Sequence, residues 1–247
     1  MDLSASNLRL SRIDTMWTVV CGANRGDCDV SAAQRGLLER YGGAARRYLL
    51  AATRDPDAAD ELFQEFAVRF LRGGLRGADP HRGRFRDFLK GVLIHLVADH
   101  HKKGRKQPLS LAPDYPEPAA AMTNEADETF RASWRDELLA RSWAALEAAE
   151  KECGRPYFTV LRYRADYPDA SSQAMAEGVS RQLVTKMTAP GVRQTLHRAR
   201  ERFADLLLDE IAQALDRPTP EALEEELVDL GLLEHCRPAL QRRQGEA

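Results

Sequence analysis

Cysteine is scarce in this chain, and its spacing supports neither a zinc site nor a disulfide framework. Cys21, Cys28, Cys153 and Cys236 are the four cysteines among 247 residues, and no two of them form a C-x-x-C pair. Cysteines scattered in this way are typical of reduced thiols. A cytoplasmic protein without a structural metal is therefore predicted.

Long apolar runs are also missing. No stretch approaches the roughly 18 apolar residues needed to span a bilayer, and the N-terminus lacks the charged start and apolar core of a signal peptide. Neither export nor a membrane partner is expected. The Gly-rich phosphate loop, the dinucleotide-binding fingerprint and the nucleophile elbow are absent too, so the common enzyme signatures are not found.

The net charge is small, −2 for the whole sequence. That sum alone argues against a nucleic-acid binder, but it hides a segregation of the two signs into separate segments. Residues 81–106 contain eight Lys and Arg against two Asp, whereas residues 209–229 contain eight Asp and Glu against one Arg. The segments, rather than the total, indicate the function.

Apolar residues recur at helical spacing along most of the chain, which predicts an all-α fold. The length suits two small helical domains joined by a flexible acidic linker, the C-terminal domain containing a helix-turn-helix. The predicted divisions are an N-terminal extension over residues 1–30, a first domain over 31–106, a linker over 107–130, a second domain over 131–215 and an acidic C-terminal extension over 216–247.

An acidic helix is predicted over residues 57–71. Its apolar series is Leu62, Phe63, Phe66, Ala67, Phe70 and Leu71, and Val68 projects on the opposite side among Asp57, Glu61, Gln64 and Glu65. An aliphatic side chain amid carboxylates indicates a surface that meets another protein. A solvated acidic face is the alternative.

A basic core helix is predicted over residues 84–101. Phe85, Phe88, Leu89, Val92, Leu93, Leu96 and Val97 form its apolar series. Because that side is committed to the core, the surrounding Lys and Arg are suited to neutralising phosphates. The glycines and proline of residues 72–83 predict a loop before this helix, which can hold an extruded base.

These two helices resemble the bacterial RNA polymerase sigma factors. The run Asp57–Phe66 is similar to the D-A-E-D-L-x-Q-E-x-F signature, and Gly83–Leu89, followed by Asp99 and a basic cluster, resembles the promoter-melting segment of the extracytoplasmic-function group. The resemblance implies that the first helix docks on the polymerase β′ subunit through Asp60, Glu61, Gln64, Glu65 and Val68. It further implies that the second helix and its loop capture the minus-ten element. The residues assigned to that element are Asp79, His81, Arg82, Arg84, Arg86, Lys90, Lys102, Lys103 and Arg105.

The second domain is predicted to contain two capped helices in quick succession. Ser171 can cap a helix to about residue 184, and Thr188 can cap one that opens with Ala189-Pro190. On the latter, Val192, Leu196, Ala199, Phe203 and Leu206 are expected to be buried. This pattern predicts a helix-turn-helix whose second helix presents a polar face to the DNA major groove.

Gly191–Arg200 resembles the V-x-x-x-L-x-R-A-R segment of the sigma domain that reads the minus-thirty-five element. By pattern and resemblance, the predicted contacts to that element are Thr188, Arg193, Gln194, His197, Arg198 and Arg200. The segment 174–186 is several residues longer than is usual in the family, so the helix register there stays open. In the acidic extension, Thr219 and Pro220 can open a helix that either covers its own domain or binds a regulator.

The sequence is therefore identified as a sigma factor of the extracytoplasmic-function group, with no catalytic residue and no cofactor. Its implied partners are promoter DNA and the β and β′ subunits of core polymerase, with an anti-sigma factor or regulatory kinase left open. Three alternatives remain: a helix-turn-helix regulator that does not engage polymerase, a decoy that binds polymerase but not DNA, and a metal site. The metal site would use His95, Asp99, His100 and His101, where no third ligand stands at a persuasive spacing.

Overall fold

The computed structural model describes residues 30–71, 84–104, 124–183, 185–215 and 218–245. Within these ranges the chain forms nine helices and no strand, which confirms the predicted all-α class. No helix in the same ranges combines the length and the apolar character required to cross a membrane. The helices are α1 Val30–Thr53, α2 Pro56–Leu71, α3 Phe85–Gly104, α4 Asn124–Cys153, α5 Tyr157–Asp166, α6 Ser172–Leu183, α7 Ala189–Ala214, α8 Pro220–Asp229 and α9 Leu233–Gly245.

The described residues divide into two compact units. An N-terminal unit contains α1 to α3, α4 up to Glu137, and residues 212–215 and 218–223. A C-terminal unit contains residues 138–211, without residue 184, and residues 224–245. The predicted boundary at residue 131 falls inside α4, whose residues 124–137 group with the N-terminal unit.

Aromatic rings from α1 and α4 meet in the core of the N-terminal unit. Trp134 is fully buried and stacks on Tyr41, with ring centroids 4.6 Å apart and planes 5° apart. Phe130 packs edge-on against Tyr48 at 5.6 Å. The buried side chains that α2 and α3 contribute are Ala58, Ala59, Leu62, Phe66 and Phe70 from the first, and Phe85, Leu89, Leu93 and Leu96 from the second. The periodicity predicted most of these, although Leu71 is 41% exposed instead of buried.

Two adjacent glycines allow close packing in the middle of α1. Helix α1 runs through Gly42 and Gly43 without interruption. A Cβ on Gly43 would overlap the Glu137 carboxylate, and one on Gly42 would lie 3.2 Å from the Phe63 ring. Glycine is poor in a helix interior, so the packed neighbours explain its presence here.

The acidic segment before residue 130 is partly helical rather than a linker throughout. Helix α4 begins at Asn124, so Glu125, Asp127 and Glu128 lie in its first turns. Carboxylates there interact favourably with the helix dipole. Asp127 lies 3.2 Å from Lys90 of α3, and Glu137 lies 2.5 Å from Arg47 of α1. These pairs fix the start of α4 on the first unit. Residues 107–123 of the predicted linker lie outside the described residues, as does the N-terminal extension up to residue 29.

The hydroxyl of Tyr48 gives the N-terminal unit a pH dependence in the alkaline range. Burial, reinforced by the Asp127 carboxylate, raises the pKa of Tyr48 from 10.0 to about 12. Folding therefore favours the protonated phenol, and the associated stability is present below pH 10 and is lost as the pH rises from 10 to 12. The total loss is expected to be roughly 3 kcal/mol. Urea unfolding of the chain and of Tyr48→Phe at a series of pH values measures it.

The Tyr48→Phe variant should lack this part of the alkaline loss while keeping the ring packing on Phe130. Tyr167→Phe is the matched control, because Tyr167 is 56% exposed and its change should leave the profile as it is. Parallel profiles for the parent chain and Tyr48→Phe above pH 10 would contradict the prediction.

Helices α5, α6 and α7 share the core of the C-terminal unit. The buried residues of this cluster are Val160, Met175, Ala176, Val179, Val192 and Leu196, with Leu161, Tyr163, Ala170, Leu183 and Met187 packed against them. Two predicted caps are confirmed. The backbone N–H of Ala174 donates to Ser171 Oγ at 3.2 Å, and that of Gly191 donates to Thr188 Oγ1 at 3.2 Å.

The C-terminal extension forms α8 and α9. Thr219 caps α8, as predicted, through a 3.2 Å bond from the Ala222 N–H to Thr219 Oγ1. Helix α9 was not predicted, because Pro238 in its middle removes a backbone donor. Its buried residues Cys236, Ala239 and Leu240 compensate, and they place α9 in the core of the C-terminal unit. The self-packing alternative is the one observed for residues 224–245.

Candidate nucleic-acid interface

Helix α7 has one buried and one polar side over its first three turns. Val192, Leu196 and Ala199 are buried, as the four-and-three spacing predicted. The predicted DNA contacts that lie on α7 are all exposed: Arg193, Gln194, His197, Arg198 and Arg200. The predicted buried residues Phe203 and Leu206 are only half-buried, and Leu207 and Leu208 take the core positions instead. The exposed set supplies guanidinium and amide groups suited to base edges and phosphates.

A serine on α6 holds the five-residue connection from α6 to α7. The Met187 backbone N–H donates to Ser180 Oγ at 2.8 Å, and the Ser180 hydroxyl donates to the Ala176 carbonyl at 2.5 Å. This arrangement defines where α7 begins relative to α6. The sequence reading missed Ser180, although a hydroxyl residue in the last turn of a helix before a cap is a detectable signal.

An open groove of about 780 Å³ runs beside the start of α7. Its polar lining comes from Gln173, Glu177 and Arg181 of α6 and from Lys186 and Thr188 of the connection. Arg181 and Lys186 are exposed and were not among the predicted contacts. Both line the groove together with the predicted contact Thr188, so two cations lie near the start of α7, beside the Glu177 carboxylate.

The predicted minus-ten residues of α3 fall into three environments. Lys102 and Lys103 are exposed in the last turn of the helix. Lys90 lies between Asp87 at 3.7 Å and Asp127 at 3.2 Å, with 22% of its side chain exposed. Arg84 is half-buried just before the helix.

Arg86 differs from the prediction, because it is only 8% exposed. It follows the buried Phe85 in the first turn of α3, and at this exposure little of its side chain is available on the surface. Asp79, His81, Arg82 and Arg105 lie outside the described residues. The described basic surface of α3 is thus confined to its last turn and to the partly covered Lys90.

The predicted docking residues of α2 also separate by exposure. Asp60 is bound by Arg46 of α1 at 2.8 Å, and Glu65 pairs with Arg69 one turn later. Glu61 and Gln64 are exposed, and Val68 is 46% exposed. Leu71 lies about one turn beyond Val68 on the same side of α2. This side therefore exposes an acidic group, an amide and two apolar side chains in succession. The sequence analysis placed Leu71 in the buried apolar series, because its spacing continues that series.

Among the described residues no three His, Cys, Asp or Glu side chains are placed to hold a metal ion. His100 and His101 are neighbours, with ring centroids 5.8 Å apart. Comparison with known protein families, with curated proteins and with solved structures finds no match for this chain.

Proposed function

We propose that this protein is a sigma factor that binds core RNA polymerase, recognises a promoter through two DNA elements and helps to open the DNA. In this proposal the C-terminal unit reads the duplex minus-thirty-five element. The N-terminal unit binds the melted minus-ten element and docks on the polymerase. The protein itself is not a catalyst.

The observation that carries the proposal is the polar face of α7. A capped helix follows a second capped helix, with Val192, Leu196 and Ala199 inward and Arg193, Gln194, His197 and Arg198 outward. In a helix-turn-helix the second helix enters the major groove with its N-terminal residues on base edges. The exposed Arg and Gln side chains have the bidentate geometry that guanine and adenine edges require.

Two features of the N-terminal unit support the polymerase part of the proposal. The outer side of α2 combines Glu61 and Gln64 with the exposed Val68 and Leu71. Exposed apolar groups beside polar ones are typical of a surface that binds another protein. The exposed Lys102 and Lys103 end α3, where a nucleic-acid backbone can be neutralised.

In vitro transcription with purified core polymerase and a library of promoters tests the proposal. The chain is expected to bind core polymerase and to direct it to promoters that share two elements. Arg193→Ala or Arg198→Ala should reduce use of the upstream element about tenfold, because one base or phosphate contact is lost. Binding of either variant to core polymerase should be unchanged.

Lys151→Ala is the matched control, since Lys151 is an exposed cation of the same unit whose ion pair is with Glu147 of its own helix. It should leave both transcription and polymerase binding as they are. Equal loss of polymerase binding and promoter use in Arg193→Ala would contradict the assigned roles. A chain that binds promoter DNA but not polymerase would instead be a helix-turn-helix regulator, and the sigma proposal would fall.

A further inference from the structure

The outer ridge of α7 changes sign along its length. Arg193 and His197 are followed at four-residue intervals by Glu201, Asp205 and Asp209. Residues four apart in a helix are neighbours on its surface, although each such step turns about 40° around the axis. The His197 end of the proposed DNA-reading face is therefore followed by a row of three carboxylates that winds around α7, which we call the acidic row.

Two arginines from the last turn of α9 bind the acidic row. Arg242 Nη2 lies 3.1 Å from Asp205 Oδ1, and Arg242 Nη1 lies 3.5 Å from Glu201 Oε1. Arg243 Nη2 lies 2.8 Å from Asp209 Oδ1 and donates to the Asp205 carbonyl at 2.6 Å. Each carboxylate of the row thus has an arginine partner from α9.

Glu201 connects this cover to the proposed DNA face. Its Oε1 lies 3.7 Å from His197 Nε2, as well as 3.5 Å from Arg242. The His197 side chain is 75% exposed, whereas the Glu201 and Arg242 side chains are each about 40% exposed. A phosphate that approaches His197 therefore comes within one helical turn of the Glu201 carboxylate, well inside the Debye length of roughly 8–10 Å.

The burial of α9 holds the arginines in place. Cys236, Ala239 and Leu240 are buried on its inner side, and the pKa of the Cys236 thiol is raised by that burial to about 11. The buried residues fix the helix, so its last turn is kept over the acidic row. The arginines need only orient their side chains.

We propose that Arg242 is a positioning residue for DNA binding that acts through Glu201. Arg242 neutralises the first carboxylate of the acidic row, which allows a DNA phosphate to approach His197 and Arg198. Arg243 pairs with Asp209 at the far end of the row, roughly 18 Å along the helix from His197, so its effect on DNA binding should be small. Without this cover, the carboxylates of α7 repel the DNA that the first turns of the helix attract. The inference rests on the proposed function, because it requires α7 to face DNA.

Fluorescence anisotropy of the full chain with a short labelled duplex of mixed sequence tests the inference. Arg242→Ala should weaken binding about fivefold, the size of effect that a partly exposed charge gives. Glu201→Gln alone should bind the duplex at least as tightly as the parent chain. Arg242→Ala combined with Glu201→Gln should return the affinity to within about twofold of the parent, because the carboxylate next to His197 is gone and Asp205, the other partner of Arg242, lies a further turn from His197.

Arg237→Ala is the matched control, since it removes the same charge from α9 at a residue whose described ion pair is with Glu234 of the same helix. It should change the affinity less than about twofold. Arg242→Lys, which keeps the charge, should retain binding, and circular dichroism should show that each variant is folded.

Each outcome decides between the two proposals. Equal weakening by Arg242→Ala and Arg237→Ala overturns the inference, because only total charge would then matter. Failure of Glu201→Gln to restore binding overturns it as well, since Arg242 would then contact the DNA itself. If the parent chain binds no duplex, alone or with core polymerase, the proposed function fails and the inference with it; if the parent binds and the variants do not differ, only the inference fails.

Discussion

Replacing Trp134 with alanine is expected to lower the free energy of unfolding by about 3–5 kcal/mol. Trp134 is fully buried, stacks on Tyr41 at 4.6 Å and lies 6.1 Å from the Phe130 ring. Truncation removes the largest fully buried side chain of the described residues and leaves a cavity between α1 and α4. Urea or thermal unfolding of the full chain measures the loss.

Trp134→Phe should cost much less, under about 1.5 kcal/mol. The Trp134 Nε1–H is buried and has no hydrogen-bond partner among the described residues, so the change removes an unpaired donor along with some ring area. A phenyl ring can still stack on Tyr41. If Trp134→Ala and Trp134→Phe cost the same, or if neither matters, then residues 124–137 do not belong to the core of the N-terminal unit.

Gly178→Ala is expected to destabilise the C-terminal unit by about 2–3 kcal/mol, although alanine is the better helix former. Gly178 is buried in α6, and a Cβ there would overlap the hydroxyl oxygen and two ring carbons of Tyr163 on α5. An aromatic ring cannot move aside as a long flexible side chain can. The two helices must therefore separate, and the DNA affinity of α7 should fall together with the stability.

A double-mutant cycle isolates the cause. In a Tyr163→Ala background, Gly178→Ala should cost at least about 1 kcal/mol less than in the parent chain, because the clash is absent. Gly91→Ala is the matched control, since no atom lies within 4 Å of a Cβ at that helical glycine. It should be neutral or stabilise the chain by up to about 1 kcal/mol. An additive cycle would show that Tyr163 is not what excludes the methyl group.

Local sequence signals predicted the parts of the fold that depend on neighbouring residues. The caps at Ser171, Thr188 and Thr219 follow from a hydroxyl side chain next to the first helical turn, and all three accept the expected N–H. The inward side of α7 followed from the spacing of Val192, Leu196 and Ala199. These features need no information from distant segments.

The features that were not predicted depend on distant residues. An acidic stretch such as 124–130 is equally typical of a solvated tether and of a helix N-terminus. Here it is a helix N-terminus, and Asp127 pairs with Lys90 of α3. Further along the same helix, Glu137 pairs with Arg47, which lies 90 residues earlier in the chain. The charge of Arg86 gave no sign that the side chain is buried. Helix α9 contains Pro238, whose unfavourable effect is offset by the burial of Cys236, Ala239 and Leu240, which composition does not show. The polymerase and promoter contacts stay predictions.

The stacking of Trp134 on Tyr41 has a consequence for synthesis of the chain. Helices α1 to α3 are complete at Gly104, but the rings that cover Tyr41 and Tyr48 come from Phe130 and Trp134. At ordinary translation rates a ribosome needs roughly two to six seconds to add the intervening residues. During that interval Tyr41 and Tyr48 lack the rings that cover them in the folded chain, so the N-terminal unit cannot complete its core until the first turns of α4 have been made.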